Sequence, residues 1–350
     1  MTAIVRHRLF WPAFSLVVLI AVNAAVRPRF IKLTVRDGQL YGALIDILRQ
    51  SAPLMLVALG MTLVIATRGI DLSVGAVMAV SGAVALTVID GSENPGSVGT
   101  VLMAIVMGVA VGLVLGLWNG FLVAVLKIQP IVATLVLMLA GRGVALLITG
   151  GFITTVVSPP MKYVASGFLF GLPFPLFISA AAITLVALLE RRTALGVLTE
   201  AVGINPEASR LSGVRSRGII LGAYVASGIF AGIAGIVYSS NIMAADANAA
   251  GEFIELYAIL AVVLGRTSLL GGKFSIAGTV LGVLVIQTLQ STILFLGVKS
   301  AQSPVFFAAV VVIVVVLQSP RVNQGLRRLT RRRTGSGTDT ESPVDVEVAA

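Results

Sequence analysis

The chain has 350 residues, of which 57% are hydrophobic and 11% charged, whereas an average globular chain carries about 25% charged residues. This composition excludes a soluble protein and places most of the chain in a lipid bilayer. Zero cysteines exclude disulfides, thiolate metal sites and a cysteine nucleophile, and the single histidine, His7, cannot build a histidine cluster or a buried triad. The net charge of +10 sits between apolar runs and near the C-terminus, so it orients the chain in the membrane and is not a nucleic-acid footprint.

A span needs roughly 20 apolar residues. Such runs predict helices at 9–26, two within 40–89 separated by a break at Thr67 to Ser73, then 98–126, 131–149, 168–189, 219–237, 256–270, 275–296 and 305–317. The result is an all-α, polytopic membrane protein of about ten transmembrane helices. Arg6 and Arg8 precede the first run, which lacks an A-x-A cleavage site and is followed by nine more spans, so it reads as a retained helix and not as a secretory signal. With both termini cytoplasmic, the inside receives Arg68, Lys127, Arg191 to Arg217, Arg266, Lys273 and Arg321 to Arg333, and the outside receives Asp90, Glu93, Asp246 and Glu252 with Lys162 and Lys299. That distribution follows the positive-inside rule; the loop carrying Arg27, Arg29, Lys32 and Arg36 runs against it. Residues 1–320 form the transmembrane domain, with a cytoplasmic loop at about 191–217. Residues 321–350 form a tail that is basic and then, with little to bury, expected to be disordered.

Gly108, Gly112, Gly116 and Gly120 recur every fourth residue, with Ala104 and Ala124 extending the row, so one helix face is nearly bare and another backbone can approach it. Gly218 with Gly222, Gly228 with Gly232, and Gly278 with Gly282 repeat the device. Two polar interruptions resemble each other: Thr67-Arg68-Gly69-Ile70-Asp71-Leu72-Ser73 and Gly265-Arg266-Thr267-Ser268-Leu269-Leu270-Gly271-Gly272-Lys273. Matching breaks point to two pseudo-repeated halves and to a transport site, or else to two tight turns with no contact to cargo. Arg68 and Asp71 are spaced to pair if the backbone turns helically there. Arg142, inside an apolar run, either lines a pore or caps neighbouring carbonyls. Gly272-Lys273 is no phosphate loop, because Thr267 and Phe274 stand where glycine and Ser or Thr are required; any ATP is hydrolysed by a partner. Asn205 can cap a short helix that starts at Pro206 and ends at Gly213, a candidate docking element with Ala208 and Leu211 on one side.

Gly60-Met61-Thr62-Leu63-Val64-Ile65 leading into Gly69-Ile70-Asp71-Leu72-Ser73-Val74-Gly75 resembles the signature of permease subunits of ribose-type and galactose-type sugar ABC importers. The likeness continues through Trp118-Asn119-Gly120, Ile131-Val132-Ala133-Thr134-Leu135, Arg142-Gly143, the Gly203 to Gly213 loop and Thr267 to Gly272. Residues 126–130 and 244–251 are most similar to galactofuranose permeases. The chain departs from the family at Arg68 and Arg266, where members usually carry glycine, and at Tyr257, where near relatives tend to carry an acid. The resemblance implies a multi-pass subunit of the cytoplasmic (inner) membrane that is itself no enzyme. Its partners would be a second permease copy or homologue, a cytosolic ATPase that binds ATP and Mg, and an extracytoplasmic sugar-binding protein.

The expected function is ATP-driven import of a neutral pentose or hexose; the alternative is a proton-coupled secondary transporter using Asp71 and Glu255. Candidates for the translocation path are Asp71, Ser73, Asn119, Thr134, Gln287 and Gln290, because a neutral sugar suits hydroxyls and amides with few charges. Candidates for ATPase coupling are Glu200, Gly203, Asn205, Ala208, Leu211 and Gly213. No catalytic or metal-ligating residue and no cofactor of the chain itself is expected.

Overall fold

A computed structural model describes residues 9–297 together with Val305, Ala308, Ala309 and Val312, which are helical. The chain divides into two units, Met1–Leu296 and Gly297–Ala350; the expected tenth span lies mostly outside the described residues, and the tail 321–350 wholly so. The first unit is a helical bundle. Its helices are α1 (Phe10–Val26), α2 (Ala43–Gln50), α3 (Ala52–Ala66), α4 (Val74–Asp90), α5 (Val98–Ala124), α6 (Pro130–Ile148), α7 (Pro159–Ser166), α8 (Phe174–Arg192), α9 (Leu195–Ile204), α10 (Pro206–Leu211), α11 (Ser216–Ile242), α12 (Ile254–Leu264) and α13 (Ile276–Phe295). Three short antiparallel pairs, β1–β2 (Thr34–Arg36 with Gln39–Tyr41), β3–β6 (Thr154–Thr155 with Ala244–Ala245) and β4–β5 (Phe168–Leu169 with Leu172–Pro173), trim the connections.

Among the described residues, α5, α6, α8, α11 and α13 are each long and apolar enough to cross a membrane, and α2–α3, bent by 44°, makes a sixth candidate. Helices α1, α4 and α12 stand at three further expected spans but have only 10–17 residues. The basic loop at 27–36 folds into a 3-10 turn and the β1–β2 hairpin, and Arg27 lies over the Phe295 ring. Helix α1 is tied to α13 by a buried hydrogen bond from Asn23 Nδ2 to Thr292 Oγ1, 2.7 Å long.

Helix α11 is the hub, packed on α3, α4 and α5. Helices α3 and α4 are apolar all round and buried nearly all round, as core helices are. By contrast α5 and α6 leave Val106, Leu139 and Leu147 exposed, the surface a helix presents to hydrocarbon. The bare face of α5 lies directly on α11: a Cβ on Gly112 would stand 2.5 Å from the Gly228 carbonyl oxygen, one on Gly116 2.6 Å from the Tyr224 carbonyl, and one on Gly120 3.1 Å from Leu221. Gly108 meets Ser81 and Ile236 in the same way. Gly278 and Gly282 of α13 are pressed against Gly265 and Ala261. Gly218 and Gly222 correct the expectation of close packing at every glycine pair, since a Cβ on either meets nothing within 4 Å. They line an apolar groove between α8, α9 and α11 instead.

Gly228→Ala forces backbones apart where Gly112 and Gly116 touch it and is expected to destabilise the protein by about 1–3 kcal/mol. Gly143→Ala, at a helix position with open space, is expected to be neutral. Thermal unfolding of the two purified variants in one detergent checks the contrast.

Candidate functional site

Asp71 lies in the break between α3 and α4 and is 2% exposed. A charge so buried must be hydrogen-bonded. Its Oδ1 accepts from the Ser73 backbone N–H at 3.0 Å and from Ser73 Oγ at 2.6 Å, and its Oδ2 accepts from Ser227 Oγ of α11 at 2.8 Å. Asn119 Nδ2 of α5 donates to Ser73 Oγ at 2.7 Å, and Thr134 Oγ1 of α6, whose shorter hydrogen bond goes to the Pro130 carbonyl one turn back at 2.9 Å, lies 3.3 Å from the Ile70 carbonyl. Four of the expected path residues, Asp71, Ser73, Asn119 and Thr134, therefore form one buried knot that joins the break to α5, α6 and α11. Ser227 was missing from the sequence reading; its only signal is the neighbouring Gly228 on a helix rich in small residues.

The expected pairing of Arg68 with Asp71 does not form. Helix α3 ends in a Schellman turn, with Arg68 N–H bonded to Ile65 O and Gly69 N–H to Val64 O, and Arg68 sits in the left-handed region at φ 65°. The chain stops being helical there, and the guanidinium turns away to donate from Nε to the Leu270 carbonyl at 3.0 Å. Helix α12 ends identically: Arg266 N–H bonds Val263 O, Thr267 N–H bonds Val262 O, and Arg266 has φ 65°. The two arginines thus occupy equivalent positions at which glycine is the unstrained residue, and the two breaks share a backbone geometry that their side chains hide.

The breaks meet at Gly203. The Gly272 N–H donates to the Ala66 carbonyl at 3.0 Å, and a Cβ on Gly203 would collide with that carbonyl and with the Gly272 nitrogen. The end of α9 is thereby wedged between the end of α3 and the turn before α13. Gly203 consequently faces the bundle and is no docking surface. Beyond it, Asn205 Oδ1 accepts from the N–H groups of Glu207 (3.1 Å) and Ala208 (3.0 Å), Pro206 opens α10, and Gly213 follows at φ 85°. Glu200 is half-buried, while Asn205, Ala208, Leu211 and Gly213 are exposed, Leu211 at 76%. Glu207 and Arg210 pair at 2.6 Å, and those hydrogen bonds hold the Glu207 carboxyl below the usual carboxylate range.

Gln287 and Gln290 stand apart from the knot. Both line a cavity of about 410 Å³ that also touches Gln50 and Pro53 at the other end of α3, about 22 Å along the helix from Ala66. Arg142 is a cap: its guanidinium donates to the carbonyls of Ala247, Asn248, Ala250 and Gly251 at 3.0–3.3 Å. It fixes the loop that presses Gly251 against Gly75 of α4. Among the described residues no cluster of three or more potential metal ligands occurs.

The profile of the family described as "Branched-chain amino acid transport system / permease component" matches residues 43–316. The chain belongs to this permease family. It is 47% identical over 322 residues to a galactofuranose transporter permease protein of Escherichia coli, covering 90% of this chain and 92% of the relative. It is 41% identical over 336 residues to a fructose import permease protein of Bifidobacterium longum (94% and 93% covered), and 35% identical over 311 residues to a ribose import permease protein of Escherichia coli (88% and 92% covered). These relatives are named as permeases for galactofuranose, fructose and ribose. No solved structure matches the chain.

Ser227→Ala removes one donor to a buried carboxylate and is expected to cost about 1–3 kcal/mol. Arg266→Gly relieves a left-handed residue and is expected to add about 1 kcal/mol. Thermal unfolding of each purified variant reads both signs.

Proposed function

We propose that the chain is the transmembrane permease subunit of an ATP-driven importer that carries a neutral monosaccharide, galactofuranose or a similar pentose or hexose, across the cytoplasmic membrane. It works with a second permease copy or homologue, a cytosolic ATPase that binds ATP and Mg, and an extracytoplasmic sugar-binding protein. The cargo class is supported by relatives whose names specify galactofuranose, fructose and ribose.

The observation that carries the mechanism is the wedge at Gly203. Exposed α10 is the natural contact for an ATPase, and a rigid turn through Asn205 connects it to α9. Because the α9 backbone touches both breaks at once, a push on α10 reaches the ends of α3 and α12 and the start of α13 together. The helices that flank the breaks can then tilt as two coupled pairs, the kind of rigid-body rocking that alternates access. In this reading Asp71 is a fixed acceptor: its hydrogen bonds tie α4 to α11, and a group that must gain and lose a proton in every cycle would break and remake those ties.

The test is uptake into proteoliposomes containing the complete importer. Sugar uptake is expected to require ATP and the ATPase and to persist when a protonophore collapses the pH gradient. Uptake by the permease alone, driven by an imposed pH gradient, overturns the proposal. Leu211→Asp, on the exposed face of α10, is expected to lower sugar-stimulated ATP hydrolysis at least tenfold without changing the thermal stability of the isolated permease.

A further inference from the structure

An apolar groove of about 310 Å³ opens between α8, α9 and α11. Leu185 and Leu189 of α8 and Leu195 of α9 form its exposed sides, and Phe230 and Phe274, each 7% exposed, close its floor. Gly218 and Gly222 keep it open, since a Cβ on either meets nothing within 4 Å. From Gly218 to Phe230 the groove follows α11 for about 18 Å, and half of a hydrocarbon core is about 15 Å thick. It therefore has the length of one lipid leaflet. Left unfilled, such a trough forfeits dispersion contacts along its whole lining.

One end of the trough is charged. On α8 the lining position Leu189 continues one turn on to Arg192, and on α11 Gly218 and Ile219 continue one turn back to Arg215. Arg192 and Arg215 thus stand on the groove's own faces where the two helices end, with Arg191 and Arg217 beside them, and all four are exposed. Among the described residues none of the four is in an ion pair. The acids nearby are Glu190, which lies within electrostatic reach of Arg191 and Glu200, and Glu207 of α10, which is already paired with Arg210. Positive charge is thus in excess at the rim. A phosphodiester matches it, because guanidinium groups hold phosphate oxygens by paired, charge-assisted hydrogen bonds. A free inorganic anion leaves the trough empty, and an uncharged apolar molecule leaves the arginines unmatched. An amphiphile with an anionic head satisfies both.

We infer that the groove binds one anionic glycerophospholipid, with an acyl chain laid along Gly218 and Gly222 and the phosphate on Arg192 and Arg215. The inference goes beyond the import reading and does not depend on which solute is carried. Its consequence lies at α9, whose Leu195, Gly196 and Thr199 wall the groove while Gly203, near the other end of the same helix, sits between the two breaks. A bound acyl chain braces the helix that joins α10 to both breaks.

The experiment is native mass spectrometry of the full-length chain, equilibrated in mild detergent with equal amounts of phosphatidylglycerol and phosphatidylcholine of identical acyl chains. The native chain is expected to retain one phosphatidylglycerol, with a preference of about tenfold over phosphatidylcholine. Arg192→Gln combined with Arg215→Gln is expected to abolish the preference. Gly222→Leu, which places a side chain in the trough, is expected to lower retention of both lipids by about tenfold. Both variants are expected to keep the native melting temperature in lipid-free detergent; if Gly222→Leu does not fold, the arginine pair decides the matter. No retained lipid, equal retention of the two lipids by the native chain, or native behaviour of the folded variants would each overturn the site. A lipid-free dimer that Gly222→Leu dissociates would also overturn it, and would give the groove to a second copy of the chain.

Discussion

Burying a carboxylate in a bundle that faces hydrocarbon is costly unless the chain surrounds it with donors. At Asp71 those donors come from Ser73 and Ser227, and the Ser73 hydroxyl is in turn held by Asn119. The requirement organises more than the break itself. For the Ser227 hydroxyl to reach Oδ2, α11 must lie against α3 and α4, and Gly60 permits this because its missing side chain leaves room for the Ser227 backbone. For Asn119 to reach Ser73, α5 must lie equally close, which the glycines facing α11 make possible. Polar satisfaction and small-residue packing are therefore two aspects of one arrangement: glycines bring the backbones near, and the carboxylate holds them in register.

The second convergence, at Gly203, is built from backbone alone. Ala66, Gly203 and Gly272 leave no volume for side chains where they meet, so this joint is stiff and its geometry cannot be adjusted by rotamers. The Asp71 knot is also rigid. Between them lies the left-handed residue Arg68, held to the second break through Leu270. A stiff joint on either side of a strained residue concentrates any conformational change on a few backbone torsions, as hinges do.

Much of this was legible in the sequence. Five or six of the ten expected spans follow from apolar runs, the α5 face from glycines at every fourth position, and the α10 start from Asn205 and Pro206, because each rests on local chemistry with a short period. The similarity of the two breaks was visible as a composition, but their shared Schellman geometry was not, since arginine at both left-handed positions hides the glycine that normally announces it. The Arg68–Asp71 pair failed for the same reason: spacing by three implies contact only if the helix continues, and it ends at Thr67. Gly218 and Gly222 were indistinguishable from the packed pairs because spacing shows that a face is bare and not what lies opposite. Ser227 was missed because a lone serine on an apolar helix gives no hint of its partner. The candidate path likewise divided into a knot and a cavity at opposite ends of α3, a separation that only three-dimensional placement reveals.

The bond between Asn23 and Thr292 spans 269 positions of sequence, and this has a bearing on biogenesis. Thr292 leaves the ribosome on the order of half a minute after Asn23 at ordinary rates of synthesis. Throughout that interval an amide waits in or beside the membrane without its final partner. The side chain has a holding arrangement, since its Nδ2 also donates to the Leu19 carbonyl one turn back, at 2.8 Å. The first helix can thus be released into lipid with its polar group partly satisfied and be recruited again once α13 arrives, so that this contact of the bundle closes only after the eleven helices between them have been made.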